Sequence, residues 1–198
     1  MARYPIAVLG AGPAGRNYIK ELCKEWSVEV VGFTNRSPEP RAAVSAETKV
    51  PGFADFAELM AKAARRPEMV VIATANTTHK DFAIQALQAG AHVFCEKPMA
   101  MNLDDCQTML LAEQRSGKVL QIGFEYRYGT VTGRIKELLD QGFFGDLRSL
   151  DVTDSRGHWW PETPDTPVEK VWRLNRAIGG GPILHCGIHE LDLLRHYA

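Results

Sequence analysis

Pro5-Ile6-Ala7-Val8-Leu9-Gly10-Ala11-Gly12-Pro13-Ala14-Gly15 decides how this chain is read. Pro5 to Leu9 is a short apolar run that stops at glycine, and from Ala14 to Trp26 the residues Ile19, Leu22 and Cys23 fall at helical spacing. Strand, turn and helix follow one another. Glycines at 10, 12 and 15 permit a tight turn and let a diphosphate approach the amides of a helix N-terminus, so the turn, with Pro13 and Ala14, is a candidate dinucleotide site. A plain glycine turn is the alternative. The position of the motif, between the first strand and the first helix, favours the dinucleotide.

The alternation continues downstream. Val28 to Phe33 reads as a strand, Phe53 to Ala64 as a helix with Phe53, Phe56, Leu59, Met60 and Ala63 on one face, and Met69 to Ala73 as a buried strand. His79 to Ala89 is a helix closed by Gly90, His92 to Cys95 a strand, Leu103 to Ser116 a helix closed by Gly117, and Val119 to Phe124 a strand. Parallel strands need long crossovers that also cover the sheet, so the fold class is α/β, a Rossmann-type, doubly wound parallel sheet. After a helix at Thr130 to Gln141 the texture changes: Leu147 to Trp160 alternates like a strand of a different sheet, and Ile183 to Tyr197 is a helix behind a glycine run. A domain boundary therefore falls in the 120s, between residues 1–124 and 125–198.

Composition excludes several classes. The 198 residues are 45% apolar and 24% charged with a net charge of −1, an ordinary globular balance without the basic excess a nucleic-acid binder uses on phosphates. No apolar stretch approaches the ~20 residues that cross a bilayer, and none forms a signal sequence, so a cytoplasmic chain without membrane partner is expected. Cys23, Cys95, Cys106 and Cys186 lie far apart without a CxxC pair, which points to reduced thiols.

About 20 residues past the glycine turn an NAD site places a carboxylate on the ribose 2′-hydroxyl. Here the chain reads Thr34-Asn35-Arg36-Ser37. With no acid to repel a 2′-phosphate and Arg36 able to pair with one, NADP is preferred over NAD, and Asn35 and Arg36 join the candidate cofactor residues. The plain reading of Arg36 is a solvated turn residue.

Thr74-Ala75-Asn76-Thr77-Thr78-His79 and Cys95-Glu96-Lys97-Pro98 put polar groups just past buried strands, on the edge where open α/β sheets hold ligands. Glu96-Lys97-Pro98 downstream of an N-terminal GxGxxG resembles the glucose-fructose oxidoreductase and inositol dehydrogenase (Gfo/Idh/MocA) family. Gly123-Phe124-Glu125-Tyr126-Arg127-Tyr128, and Trp172-Arg173 before the glycine run, extend the resemblance over essentially the whole chain. It implies that Lys97 contacts substrate and nicotinamide, that Thr74, Asn76, His79 and Glu96 line the cofactor pocket, and that Arg127, Trp172, Arg173 and Asp192 face the substrate.

The family's second signature is an aspartate four residues before a histidine with another aspartate three residues after it. This chain reads His185-Cys186-Gly187-Ile188-His189-Glu190-Leu191-Asp192. His189 matches the catalytic histidine and Asp192 the later aspartate, while His185 replaces the first aspartate. His185 and His189 at i, i+4 share a helical face, so a metal site or a buried histidine pair competes with substrate chemistry; the HExxH pattern fails at Cys186, and no metal is expected. Cys95 has no adjacent base to make it a nucleophile.

The resemblance implies an NAD(P)-dependent oxidoreductase acting on a sugar, polyol or related secondary alcohol or ketone, with Lys97, His189 and His185 as catalytic candidates. It also implies a second domain with a large open antiparallel sheet that commonly forms a homo-oligomer interface, of which residues 125–198 hold an incomplete start. A non-catalytic NADP-binding regulator and an inactive truncated fragment remain alternatives.

Overall fold

The computed structural model describes residues 3–154 and 175–198. Its first unit, Met1–Gly123, is built on six strands: β1 (Tyr4–Leu9), β2 (Val28–Thr34), β3 (Gly52–Phe53), β4 (Met69–Ile72), β5 (His92–Glu96) and β6 (Leu120–Gly123). They lie in the order β3-β2-β1-β4-β5-β6, and every neighbouring pair is parallel. The chain order reverses direction between β1 and β4, which makes the carboxyl ends of those strands a topological switch point.

The central strands bury both faces, as a sheet covered by crossover helices must. Ala7 and Leu9 of β1 and Val70 and Ile72 of β4 join one core with Phe56 and Leu59 of α3 (Phe56–Lys62), Ala83, Ala86 and Leu87 of α4 (His79–Gln88) and Met109 of α5 (Leu103–Ser116). The alternate residues Ile6, Val8 and Val71 join a second core with Ile19 of α1 (Pro13–Leu22) and Val44 of α2 (Pro38–Thr48). Period-two side-chain alternation thus feeds two cores from one strand.

Local chemistry sets the helix ends. Asp55 caps α3 by accepting the Glu58 N–H at 2.8 Å, while the Glu58 carboxylate accepts the Ala54 N–H at 2.7 Å, a reciprocal arrangement that serves two amide donors. Asn102 caps α5 in the same way at Asp105, and Gly117 at φ 64° ends it.

In the first unit and the segment after it, these details depart from the sequence reading. Phe53 ends β3, and the helix starts only after Asp55, because the cap breaks the periodic run that Phe53 seemed to open. Helix α2 and strand β3 have no clear periodic signal: α2 buries Val44 alone, and β3 has two residues. Helix α1 ends at Leu22 and leaves Trp26 exposed. Leu147 to Asp154, the described part of the strand expected over Leu147 to Trp160, forms no strand, and no second sheet exists among the described residues. A strand needs a partner to satisfy its backbone groups, and none of the described segments supplies one.

The second unit, Phe124–Ala198, contains a 3-10 turn at Glu125–Tyr128, α6 (Thr130–Asp140), a π-turn at Ile183–Gly187 and α7 (Ile188–Tyr197), which packs against α6 and the 3-10 turn. The helix expected from Ile183 therefore begins as a wider π-turn that carries His185.

Candidate functional site

The glycine turn stands at the β1 end of the switch point. Gly10 has φ +88°, and a Cβ there would meet the Ala73 carbonyl oxygen at 2.6 Å, so only glycine fits where β1 and β4 leave the sheet side by side. A Cβ on Gly15 would collide with the Gly10 carbonyl oxygen. Gly12 differs: a Cβ there would meet no protein atom within 4 Å, so protein packing does not account for the missing side chain. Helix α1 starts here with Gly12 as N-cap and Pro13 at its first position, and it has neither a side-chain cap nor an acidic residue in its first turn. Open space, unblocked amides and the positive end of a helix fit a diphosphate.

The β2 exit borders the same turn. The Thr34 hydroxyl accepts the Gly10 N–H at 3.2 Å. Asn35 follows, its side-chain oxygen accepting the Ser37 N–H at 3.1 Å, and Arg36 is exposed. Arg41, from α2, donates to the Asn35 carbonyl at 2.7 Å and brings a second guanidinium to this loop. Arg41 was hidden in the sequence because α2 itself was.

At the β4 exit, Thr74 is half-buried, and Asn76 is buried in a 3-10 turn spanning Asn76–Thr78. The Thr78 hydroxyl donates to the Ala75 carbonyl at 2.7 Å and lies 2.8 Å from that of Thr74. His79 is fully buried. Its Nδ1 lies 2.8 Å from the Pro98 carbonyl and its Nε2 3.3 Å from the Thr74 carbonyl; a neutral imidazole donates once, and the shorter contact takes the proton. Burial lowers the His79 pKa, so the ring is neutral at pH 7. Expected in the pocket wall, His79 instead braces that wall from inside, joining the β4 exit to the Glu96-Lys97-Pro98 segment.

Glu96 ends β5 and Lys97 follows, both half-buried, with a cis peptide between Lys97 and Pro98. The Tyr18 hydroxyl of α1 donates to Glu96 Oε1 at 2.6 Å, and Glu96 Oε2 accepts the Lys97 backbone N–H at 3.1 Å. Tyr18 lies outside every motif quoted above; its only cue is its place one helical turn after Gly15. Cys95 is buried on the opposite side of β5, where burial raises its thiol pKa far above the ordinary value and leaves it protonated.

In the second unit the 3-10 turn meets α7. Arg127 donates through Nε to Asp192 Oδ2 at 2.7 Å and through Nη2 to Oδ1. His189 is buried, stacked on the Tyr126 ring at 4.5 Å between centroids, with its Nε2 3.6 Å from Glu125 Oε1. That separation exceeds a hydrogen bond and leaves the carboxylate facing the ring edge. Glu125 is a carboxylate beside His189 that the sequence pattern did not single out. His185 is half-buried in the π-turn, and Trp172 and Arg173 lie outside the described residues. Among the described residues no group of three metal-ligating side chains comes together.

A parallel sheet in this order, with an open glycine turn at its switch point, defines a dinucleotide-binding α/β protein. The chain belongs to the GFO_IDH_MocA oxidoreductase family: the model of its NAD-binding Rossmann fold matches residues 4–124, and that of a GFO/IDH/MocA C-terminal domain matches 132–198. Inositol 2-dehydrogenase of Salmonella paratyphi B is 34% identical over 195 residues, covering 94% of this chain and 52% of that protein. The 1-carboxy-3-chloro-3,4-dihydroxycyclohexa-1,5-diene dehydrogenase of Comamonas testosteroni is 31% identical, covering 96% and 46%. The crystal structure of the WlbA dehydrogenase from Bordetella pertussis with NADH and UDP-GlcNAcA superposes with a TM-score of 0.67 at 28% identity, over 72% of this chain and 43% of that one. The chain thus spans about half the length of the curated relatives it matches. No helix among the described residues is long and apolar enough to cross a membrane.

Proposed function

We propose that the chain belongs to an NAD(P)-dependent oxidoreductase that moves hydride between a nicotinamide cofactor and a secondary alcohol or ketone of a cyclitol, sugar or related polyol. The open turn at Gly12 carries this reading: it leaves room for a diphosphate at the helix N-terminus on the sheet edge from which Lys97 also emerges. The relatives named for inositol and for a dihydroxylated ring, and the neighbour bound to a sugar nucleotide, support the substrate class.

When bound, the nicotinamide accepts or supplies the hydride. In this reading Gly10, Gly12, Pro13, Ala14 and Gly15 seat the diphosphate, while Arg36, joined by Arg41, pairs with the 2′-phosphate of NADP. The Lys97 ammonium stabilises negative charge developing on the substrate oxygen, and the His189 imidazole takes the hydroxyl proton. His185 hydrogen-bonds to substrate or to its neighbour. Trp172 and Arg173 remain candidates for substrate contact. We place the protein in the cytoplasm on its cysteine usage, and in a homo-oligomer, on the family resemblance, where the second domain is complete.

Fluorescence titration with NADPH and with NADH tests the cofactor site, and oxidation of myo-inositol by the protein and by Lys97→Ala tests the chemistry. NADPH binding retained in Lys97→Ala, with turnover lost, is the expected result; absence of binding to either nucleotide refutes the reading. One observation favours a second reading, a cofactor-binding regulator: His185 stands where the family has an aspartate. That protein would bind NADPH and turn over no sugar or polyol.

A further inference from the structure

The residue after Glu96 carries the ammonium that the proposed reaction depends on, and its backbone is held through the Glu96 side chain. Phe94 and Glu96 alternate with Cys95 along β5, so they share the face covered by α1 while Cys95 enters the other core. Tyr18 meets both from α1. Its ring lies edge-on to Phe94, with centroids 5.7 Å apart and planes at 66°, and its hydroxyl donates to Glu96 Oε1 at 2.6 Å. The second carboxylate oxygen accepts the Lys97 N–H at 3.1 Å. From the β4 side, His79 holds the Pro98 carbonyl at 2.8 Å. Lys97 therefore sits between two braced neighbours, one tied to α1 and one to α4.

We propose that Tyr18 is a positioning residue for Lys97, acting through the Glu96 carboxylate and locking Lys97 to the helix whose N-terminus receives the diphosphate. Packing on Phe94 needs only the ring, which phenylalanine would also supply. The hydroxyl adds a charge-assisted hydrogen bond, and with it one orientation of a carboxylate that has two different partners. An unheld carboxylate would turn toward solvent and release the Lys97 N–H. The diphosphate cradle at Gly10, Gly12 and Gly15 does not use this bond, so cofactor affinity and lysine placement are separable.

The inference rests on the proposed cofactor site, and its test reads both. Lys97 is modified with trinitrobenzenesulfonate, with and without saturating NADPH, and followed by peptide mass spectrometry in the full chain and in Tyr18→Phe, Glu96→Ala and the double variant. NADPH affinities come from fluorescence on the same samples, and circular dichroism checks folding. In the unaltered chain, NADPH is expected to protect Lys97. In Tyr18→Phe, affinity stays within about twofold, less than 0.5 kcal/mol, while the protection is lost. Glu96→Ala loses it equally, and the double variant loses no more, because both changes cut one link. Glu96→Ala tests the link from its other end should Tyr18→Phe fold poorly. Protection retained in Tyr18→Phe or in Glu96→Ala, or effects that add in the double variant, overturn the role of Tyr18 alone. An unaltered chain whose Lys97 is unprotected by bound NADPH, or which binds none, overturns the cofactor reading and this inference with it.

Discussion

Arg127 holds Asp192 through two hydrogen bonds, Nε to Oδ2 at 2.7 Å and Nη2 to Oδ1, so the two charges serve each other and fasten the Glu125–Tyr128 turn to α7. The burial is unequal: the Asp192 side chain is 6% exposed and that of Arg127 37%. Arg127→Ala strands a buried carboxylate, whereas Asp192→Ala leaves a guanidinium that can turn to water. We expect Arg127→Ala to cost about 2–4 kcal/mol and Asp192→Ala about 1–2 kcal/mol, discounted for the exposed arginine. Urea denaturation of the two variants checks the order; a larger loss in Asp192→Ala contradicts it.

His79 makes stability depend on pH. Burial holds its folded pKa below the ordinary 6.5, so the unfolded chain takes up a proton first as pH falls. Its contribution is complete above pH 6.5 and is lost as pH drops from there through the depressed folded value. Melting temperatures measured from pH 7.5 down to 5 should fall more steeply in the unaltered protein than in His79→Asn. Parallel curves would mean that the ring titrates normally.

Gly12 and Gly15 should separate binding from folding. Gly12→Ala adds a methyl group where no protein atom lies within 4 Å, so its melting temperature should hold while NADPH and NADH affinity drops, by about tenfold or more if a diphosphate takes that space. Gly15→Ala drives a methyl group into the Gly10 carbonyl and should destabilise the fold itself. Unchanged nucleotide affinity in Gly12→Ala would remove the case for a diphosphate at this turn.

The β2 exit predicts cofactor preference. With Arg36 and Arg41 present and no acid among Thr34, Asn35, Arg36 and Ser37, NADPH should bind more tightly than NADH, and Arg36→Ala should weaken NADPH alone by about tenfold, the value of one charge-assisted hydrogen bond. Titration of both nucleotides decides; a clear preference for NADH in the unaltered protein defeats the argument.

The strand and helix alternation of the first unit was legible because buried parallel strands read as unbroken apolar runs, and the glycine turn because backbone crowding at Gly10 and Gly15 tolerates nothing larger. Phe53 misled for a physical reason. Its spacing to Phe56, Leu59 and Met60 suits a helix, but the ring instead packs over Gly32, where a Cβ would meet it at 2.5 Å, and only the Asp55 cap marks the true start. Candidate positions at strand exits followed from period and place. Partnerships did not: the Tyr18 to Glu96 bond spans 78 residues, Arg127 to Asp192 spans 65, and His79 meets a carbonyl, for which no side-chain pattern exists.

The seat beneath Gly10 has two authors. The Ala73 N–H donates to the Leu9 carbonyl at 2.8 Å, and the Ala73 carbonyl is the wall that forbids a side chain at Gly10. The glycine motif is therefore translated long before its floor exists. A nascent chain halted ahead of β4 would carry every glycine of the fingerprint yet have no formed nucleotide pocket, and binding competence should arise abruptly once the segment through Ala73 has left the ribosome and docked beside β1.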